Sequence, residues 1–245
     1  MFFNFDRRYL YIFLGIVIAY TLIGYISNPA NLLELLLGIP GVLVAITFHE
    51  YAHALAAYKL GDDTAKQQGR LTLNPFKHTD PIGILMLLFL GFGWGRPVQI
   101  DSRNLNRKMS VSKATAIISF AGPAANFILA VLFSIITALA LKFGWLDAID
   151  SRAANTIVEI LATTIRVNIG LGVFNLIPLP PLDGSKILAH FLPFKAREWF
   201  ESNEQIFYFI FLFIWITGFA GTIIAPAIKI ISKALSDLIL TIVGL

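Results

Sequence analysis

Residues 36–58 read LLGIPGVLVAITFHEYAHALAAY, and two patterns are superimposed in them. The first is an apolar run of spanning length, since about 20 mostly apolar residues cross a bilayer as a helix. The second is His49-Glu50-Tyr51-Ala52-His53, three ionisable groups near the end of that run. Burying even one such group in lipid costs about 2.5–3.5 kcal/mol on insertion scales. Three together by accident are improbable. On a helix, i and i+4 lie on one face about one turn apart, so His49 and His53 can grip one ion. Glu50 stands where it can polarise a water on that ion instead of ligating. A metal lowers the pKa of such a water from 15.7 towards about 7, and the carboxylate takes its proton during attack on a carbonyl.

The rest of the chain repeats the apolar theme. Of 245 residues, 57% are hydrophobic and 14% charged, where a soluble domain carries roughly 25% charged. Mean hydropathy is +0.74. Further spans are expected at 9–27, 114–141, 156–177 and 205–226. The first is expected to be retained, because Ser27-Asn28-Pro29 lacks the small-x-small pattern of signal-peptide cleavage. Segment 81–93 is apolar but too short to span, which points to a re-entrant or interfacial piece. The tail 227–245 sets Ile228, Ile231, Leu235, Leu238, Ile239 and Ile242 at helical spacing opposite Lys229, Lys233 and Asp237. It predicts an amphipathic helix in the interface or a sixth span. The expected fold is an all-α polytopic membrane protein of five to six transmembrane helices, with a re-entrant or short β element between the second and third. It forms one domain over 1–245, with its core at 36–192.

Charge excludes and orients. The net charge of +4 is modest and its basic residues lie between apolar segments, so nucleic acid is not an expected partner. With no cysteine there is no disulfide framework or thiolate chemistry. Arg7 and Arg8 precede the first span, 28–34 carries no Lys or Arg, and nine lie from Lys59 to Lys113. The positive-inside bias then predicts a cytoplasmic N-terminus, with the second and fourth spans ending on the cytoplasmic side.

A catalytic zinc site needs a third protein ligand and an open position. Asp183, in Asn175-Leu-Ile-Pro-Leu-Pro-Pro-Leu-Asp183-Gly184, follows the fourth span. It can be that ligand or simply cap the next helix, and the topology favours the ligand by putting it on the same side as His53. His78 and His190 are rival ligands. Glu159 and Arg166, two turns apart in the fourth span, either pack together or line a water-filled cavity.

HEYAH in the second span, Phe120-Ala-Gly-Pro-Ala-Ala-Asn126-Phe127 in the third and NLIPLPPLDG after the fourth together resemble the site-2 protease family of intramembrane zinc metalloproteases. Gly69-Arg-Leu-Thr-Leu-Asn-Pro-Phe-Lys-His-Thr-Asp-Pro-Ile-Gly83 and Gly93-Trp-Gly-Arg-Pro-Val98 are similar to one compact branch of it. The resemblance runs from about 36 to 192. It implies zinc on His49, His53 and Asp183, with Glu50 as general base. It also suggests that Asn126 and Asn175 face the active site, where an amide NH2 could stabilise an oxyanion. Alternatively, Asn126 hydrogen-bonds across a close helix contact and Asn175 ends its helix. The PDZ and CBS modules of many relatives have no room here, so substrate choice falls to the membrane core or a partner.

Arg70–Leu73 and Arg96–Ile100 alternate like short strands. The expectation is that the edge at Arg96 and Val98 binds substrate by strand addition. The implied substrates are membrane proteins, either single-span regulators or signal-peptide remnants, met within the lipid bilayer of the cell membrane with the active site towards the cytoplasm. Two other readings remain: a metalloprotease whose third ligand is Glu159, Glu198, Glu201 or Glu204, and a membrane metal transporter or non-proteolytic zinc-binding protein. The lack of an inverted repeat weighs against transport.

Overall fold

In the computed structural model, residues 19, 21–80, 83–84 and 95–244 are described. The expected span at 9–27 is helical over 21–27, and the rest of it lies almost wholly outside the described residues. So does most of the expected re-entrant piece at 81–93.

Three long helices form the frame: α1 (Pro29–Lys59), α4 (Val111–Lys142) and α5 (Ser151–Asn175). Between α1 and α4 lie two single-turn helices, α2 (Thr64–Gln67) and α3 (Pro75–His78). After α5 come α6 (Asp183–Phe191), α7 (Phe194–Ser202), α8 (Glu204–Ile216) and α9 (Phe219–Val243). Each long helix starts where its sequence provides a cap. Asn28 accepts from the Ala30 amide with Pro29 in the first turn, Ser110 accepts from Lys113, and Asp150 accepts from Arg152 and Ala153. These side chains satisfy amides that have no partner within the helix. Capping by Asp150 starts α5 five residues before the apolar run at 156, so polarity alone predicted too short a helix.

Among the described residues, α1, α4 and α5 are long and apolar enough to cross a membrane. They pack on one another through small and polar residues: Ala45, Thr47, Ala130, Ser134, Thr163 and Thr164 are buried. Large apolar residues face outward instead, Ile128 being 67% exposed and Phe120 51%. Lipid tails are as apolar as leucine, so membrane helices gain by close backbone approach while their bulky side chains meet lipid. That distribution, together with length, marks a membrane protein.

One expectation about the C-terminal half is corrected and another is sharpened. The span expected at 205–226 is interrupted: α8 stops at Ile216, Gly218 takes φ 72° and α9 begins at Phe219. A left-handed glycine ends a helix readily because it lacks a Cβ. The tail 227–245, expected as an amphipathic helix in the interface or a sixth span, is helical within α9 and packs on protein. Ile228, Ile231, Leu235 and Ile239 pack against a cluster of Ala130, Ile165 and Ile169 from α4 and α5. The apolar face seen in the sequence is real, but protein covers it.

The strand pair expected at 70–73 and 96–100 does not form; among the described residues there is no strand, and the one bridge joins Thr79 to Gly95. The reason is that the main chain of 96–101 has other partners. Arg96 N–H donates to His78 O at 2.7 Å, the Arg70 guanidinium donates to Arg96 O, and Asp101 N–H donates to the Asp62 carboxylate at 2.7 Å. The segment has no regular secondary structure and is held by side chains and a single carbonyl, not by a ladder.

Candidate metal centre

The C-terminal half of α1 carries His49 and His53 on one face, with ring centroids 4.5 Å apart. Opposite them, α4 approaches closely at Gly122. A Cβ there would stand 2.7 Å from His49 Cε1 and would also collide with the His53 ring. The third side comes from α6, which begins at Asp183. Its start is pressed against the end of α5, where a Cβ on Gly184 would strike the Leu176 and Ile177 carbonyls. Leu182, not Asp183, occupies the cap position of α6. The Asp183 carboxylate points instead at the histidines, with Oδ2 3.1 Å from both Nε2 atoms.

The tautomers follow from the partners. His53 Nδ1 stands 2.7 Å from Ile118 O, an acceptor only, so Nδ1 carries the proton. His49 Nδ1 donates to Asn126 Oδ1 at 2.7 Å, because the Asn126 NH2 is turned to the Ala45 carbonyl at 3.0 Å. Each ring therefore presents an Nε2 lone pair, and the two Nε2 atoms lie 3.0 Å apart. Two lone pairs and a carboxylate oxygen thus converge, on side chains 7%, 8% and 15% exposed. Such a cluster repels itself unless a metal ion or a shared proton lies among the three atoms. Three tetrahedral ligands at about 2.0–2.1 Å from zinc sit roughly 3.3 Å from one another, so the donor set and its spacing fit that ion. These are the residues among those described whose ligand atoms converge in this way.

Glu50, half-buried on the same turn, accepts the Val98 N–H through Oε2 at 2.8 Å. The main-chain groups of Val98 and Arg96, expected to bind substrate, face inward onto Glu50, His78 and Arg70. The Asn126 amide, expected to aim its NH2 at an oxyanion, has both hydrogens engaged, on Ala45 O and on Asn168 Oδ1. Asn175 donates back to Leu171 O at 3.0 Å and ends α5. The rival ligands lie elsewhere. His78 is wholly buried and donates from Nε2 to Thr72 O at 2.8 Å. Burial, then the positive charge of Arg70, hold its pKa below the usual histidine value despite the bond to Thr72. His190 Nδ1 meets Ser112 Oγ at 3.2 Å. Glu159 and Arg166 pair at 2.8 Å on half-exposed side chains.

Two contributors escaped the sequence reading, Asn168 and the Ile118 carbonyl, and Arg70 was read only as the start of a strand. Asn168 could have been found by the logic applied to Asn126, as an amide inside an apolar span. The Ile118 carbonyl left no trace in side-chain chemistry.

The chain is similar to known metalloproteases. The profile of Peptidase family M50 matches residues 37–157 and 143–218. The "Putative zinc metalloprotease YwhC" of Bacillus subtilis is 37% identical over 188 residues, 77% of this chain and 84% of that protein. The "Putative zinc metalloprotease Rip2" of Mycolicibacterium smegmatis is 30% identical over 185 residues, 74% of this chain and 67% of that protein. No solved structure matches the chain. A zinc-fitting cluster on apolar helices and the extent of these matches lead to one assignment: the chain belongs to Peptidase family M50, the site-2 protease family, and is a zinc metalloprotease.

Proposed function

We propose that this chain is an intramembrane endopeptidase, hydrolysing peptide bonds within or near the transmembrane segments of other membrane proteins. The observation that carries the reading is the convergence of His49 Nε2, His53 Nε2 and Asp183 Oδ2 within 3.1 Å of one another, with both histidines on a helix long and apolar enough to cross a membrane. These three residues hold the zinc, and Glu50 is the general base. When bound, zinc supplies Lewis acidity: it polarises the scissile carbonyl and makes water nucleophilic near neutral pH. Glu50 takes a proton from the attacking water and returns it to the leaving nitrogen, as acid–base catalysis requires. The Val98 N–H keeps one carboxylate oxygen in place and leaves the other for the water. Asn126 holds His49 in the correct tautomer.

Peptide bonds of a membrane helix are hydrogen-bonded internally, so the substrate must unwind locally before its carbonyl can reach zinc. In our reading the unwound stretch lies along 96–100. With Arg96 and Val98 bonded inward, the edge it can use is the opposite one, at Pro97 and Gln99, so Arg96 and Val98 contribute as its inner support. Single-span regulators and signal-peptide remnants are the substrates that the family resemblance implies. The basic connection between α1 and α4 orients the site towards the cytoplasm.

The test is Glu50→Gln in purified protein against a single-span substrate. Bound zinc should be retained and cleavage should fall about 10²–10⁴-fold, the range for loss of a general base. Full cleavage by Glu50→Gln would exclude the assignment of Glu50. Zinc transport into liposomes without cleavage would exclude the peptidase reading.

A further inference from the structure

Asn168 lies in the middle of α5, wholly buried inside a helix long enough to cross a membrane. A primary amide there is costly unless its hydrogen-bonding groups are satisfied. Its NH2 donates to Thr164 O at 2.8 Å, one turn back, and its Oδ1 accepts from Asn126 Nδ2 at 3.1 Å. Asn126 is equally buried; it gives its other N–H to Ala45 O and receives His49 Nδ1–H on Oδ1 at 2.7 Å. Thr164 O and Ala45 O are acceptors only, so both amides have a single orientation. Donation then runs in one direction, from the histidine on α1 through Asn126 on α4 to Asn168 and the Thr164 carbonyl on α5.

The two histidines are held differently. His53 rests on the Ile118 carbonyl, which the helix backbone fixes. His49 rests on a side-chain amide, free to turn about its terminal torsion unless its NH2 is engaged on both hydrogens. We propose that Asn168 is a positioning residue of the metal centre. By accepting from Asn126 it keeps that amide's oxygen on His49 Nδ1–H, and so keeps the His49 Nε2 lone pair aimed at the ion. The proposal rests on His49 being a zinc ligand. It also binds the ligand's orientation to the packing of all three long helices, which supply the linked residues His49, Asn126 and Asn168.

Zinc affinity of the metal-free chain in detergent, measured by competition with a chromogenic chelator, tests this apart from activity. Partners that orient a ligating histidine contribute about ten- to a hundredfold in metal affinity. Asn168→Leu should lose that much while helix content is unchanged. Asn168→Asp keeps an acceptor for Asn126 and should restore most of the affinity. In an Asn126→Leu background, Asn168→Leu should cost nothing further, because its effect passes through Asn126. Should Asn168→Leu not fold, Asn168→Ser can still bond back to Thr164 but is too short for Asn126, and is expected to show the same loss.

Unchanged affinity in Asn168→Leu or Asn168→Ser would overturn the proposal, as would weaker binding by Asn168→Asp than by Asn168→Leu. Additive losses in the double variant would overturn it too. A merely structural role predicts no rescue by an acceptor and additive losses in the double variant. If the unmodified chain itself bound no zinc, the metal-centre reading would fall. Tight binding by the unmodified chain that Asn168→Leu leaves untouched would remove only the role of Asn168.

Discussion

The two halves of the candidate site are built on opposite plans. The ligand half lies between helices: His49 and His53 on α1, Gly122 and Asn126 on α4, Asp183 at the start of α6. Its supports are helix backbone and buried amides. The base half faces the connection between α1 and α4, where Glu50 meets the Val98 N–H, and 96–101 is pinned by Arg70, His78 and Asp62. Its supports are single hydrogen bonds to a segment without regular secondary structure. A metal site gains from rigidity, because ligand geometry decides affinity. In the proposed reading, a base that shares space with an unwound substrate gains from a segment that can yield. The difference teaches where specificity and regulation can act without disturbing the metal.

Perturbations on the two sides should therefore read out differently, and the largest effect is expected at the ligands. Asp183→Ala leaves two histidines and no carboxylate. Bound zinc by elemental analysis should fall to background and cleavage with it; full zinc content would break the ligand assignment. Gly122→Ala comes next, since its Cβ would overlap both imidazoles. A displacement of about 1 Å at a catalytic centre costs on the order of a hundredfold in rate, and here zinc affinity should weaken together with cleavage. Cleavage lost with zinc affinity intact would show that α4 does not bear on the ligands.

On the base side, the effect should be on rate alone. Val98→Pro removes the N–H that Glu50 accepts. Hydrogen bonds to charged groups contribute about 1.5–3 kcal/mol, so kcat should fall roughly tenfold to a hundredfold with zinc stoichiometry unchanged. A loss of zinc in this variant would erase the distinction between the halves.

The smallest effect is expected at Asp62, a buried carboxylate between two loops. Burial alone would raise its pKa. Donation from the Thr64 hydroxyl and amide, the Asp101 amide and the Asn104 side chain outweighs burial and holds it below the usual carboxylate range. A lowered folded-state pKa contributes stability above the unfolded value, about 3.9, which is lost as pH falls through the folded value. Hydrogen exchange at the Asp101 amide should thus be slow at neutral pH and lose protection only below about pH 4. In Asp62→Ala it should be fast at both. Equal protection in the variant would show that Asp62 does not pin the segment.

How much of this was legible depended on how local the physics was. His49 and His53 could be read together because helical periodicity alone puts i and i+4 on one face, with Glu50 the next residue after His49. The long helices were legible for the same reason, since spanning length and apolar content are properties of a contiguous run. Their ends were less so, as the early start of α5 at its Asp150 cap shows. The strand pair failed because alternation in 70–73 and 96–100 is equally compatible with an irregular segment whose hydrogen bonds go elsewhere. Here they go to Glu50, His78 O and Arg70, partners distant in sequence.

By itself, then, the sequence determined the membrane character of the chain, the paired histidines with their neighbouring carboxylate, and Asp183 as the candidate third ligand. These follow from composition, from the 3.6-residue helical period and from charge placement, all of which act along the chain. Only the tertiary structure decided that Asp183 Oδ2 lies 3.1 Å from both imidazoles. It alone showed that Gly122 makes room for them, that Asn126 and Asn168 steady one of them, and that α9 turns its apolar face to protein. Those outcomes depend on how separate helices approach one another, and packing distances across a fold are not encoded in the pattern of any one segment.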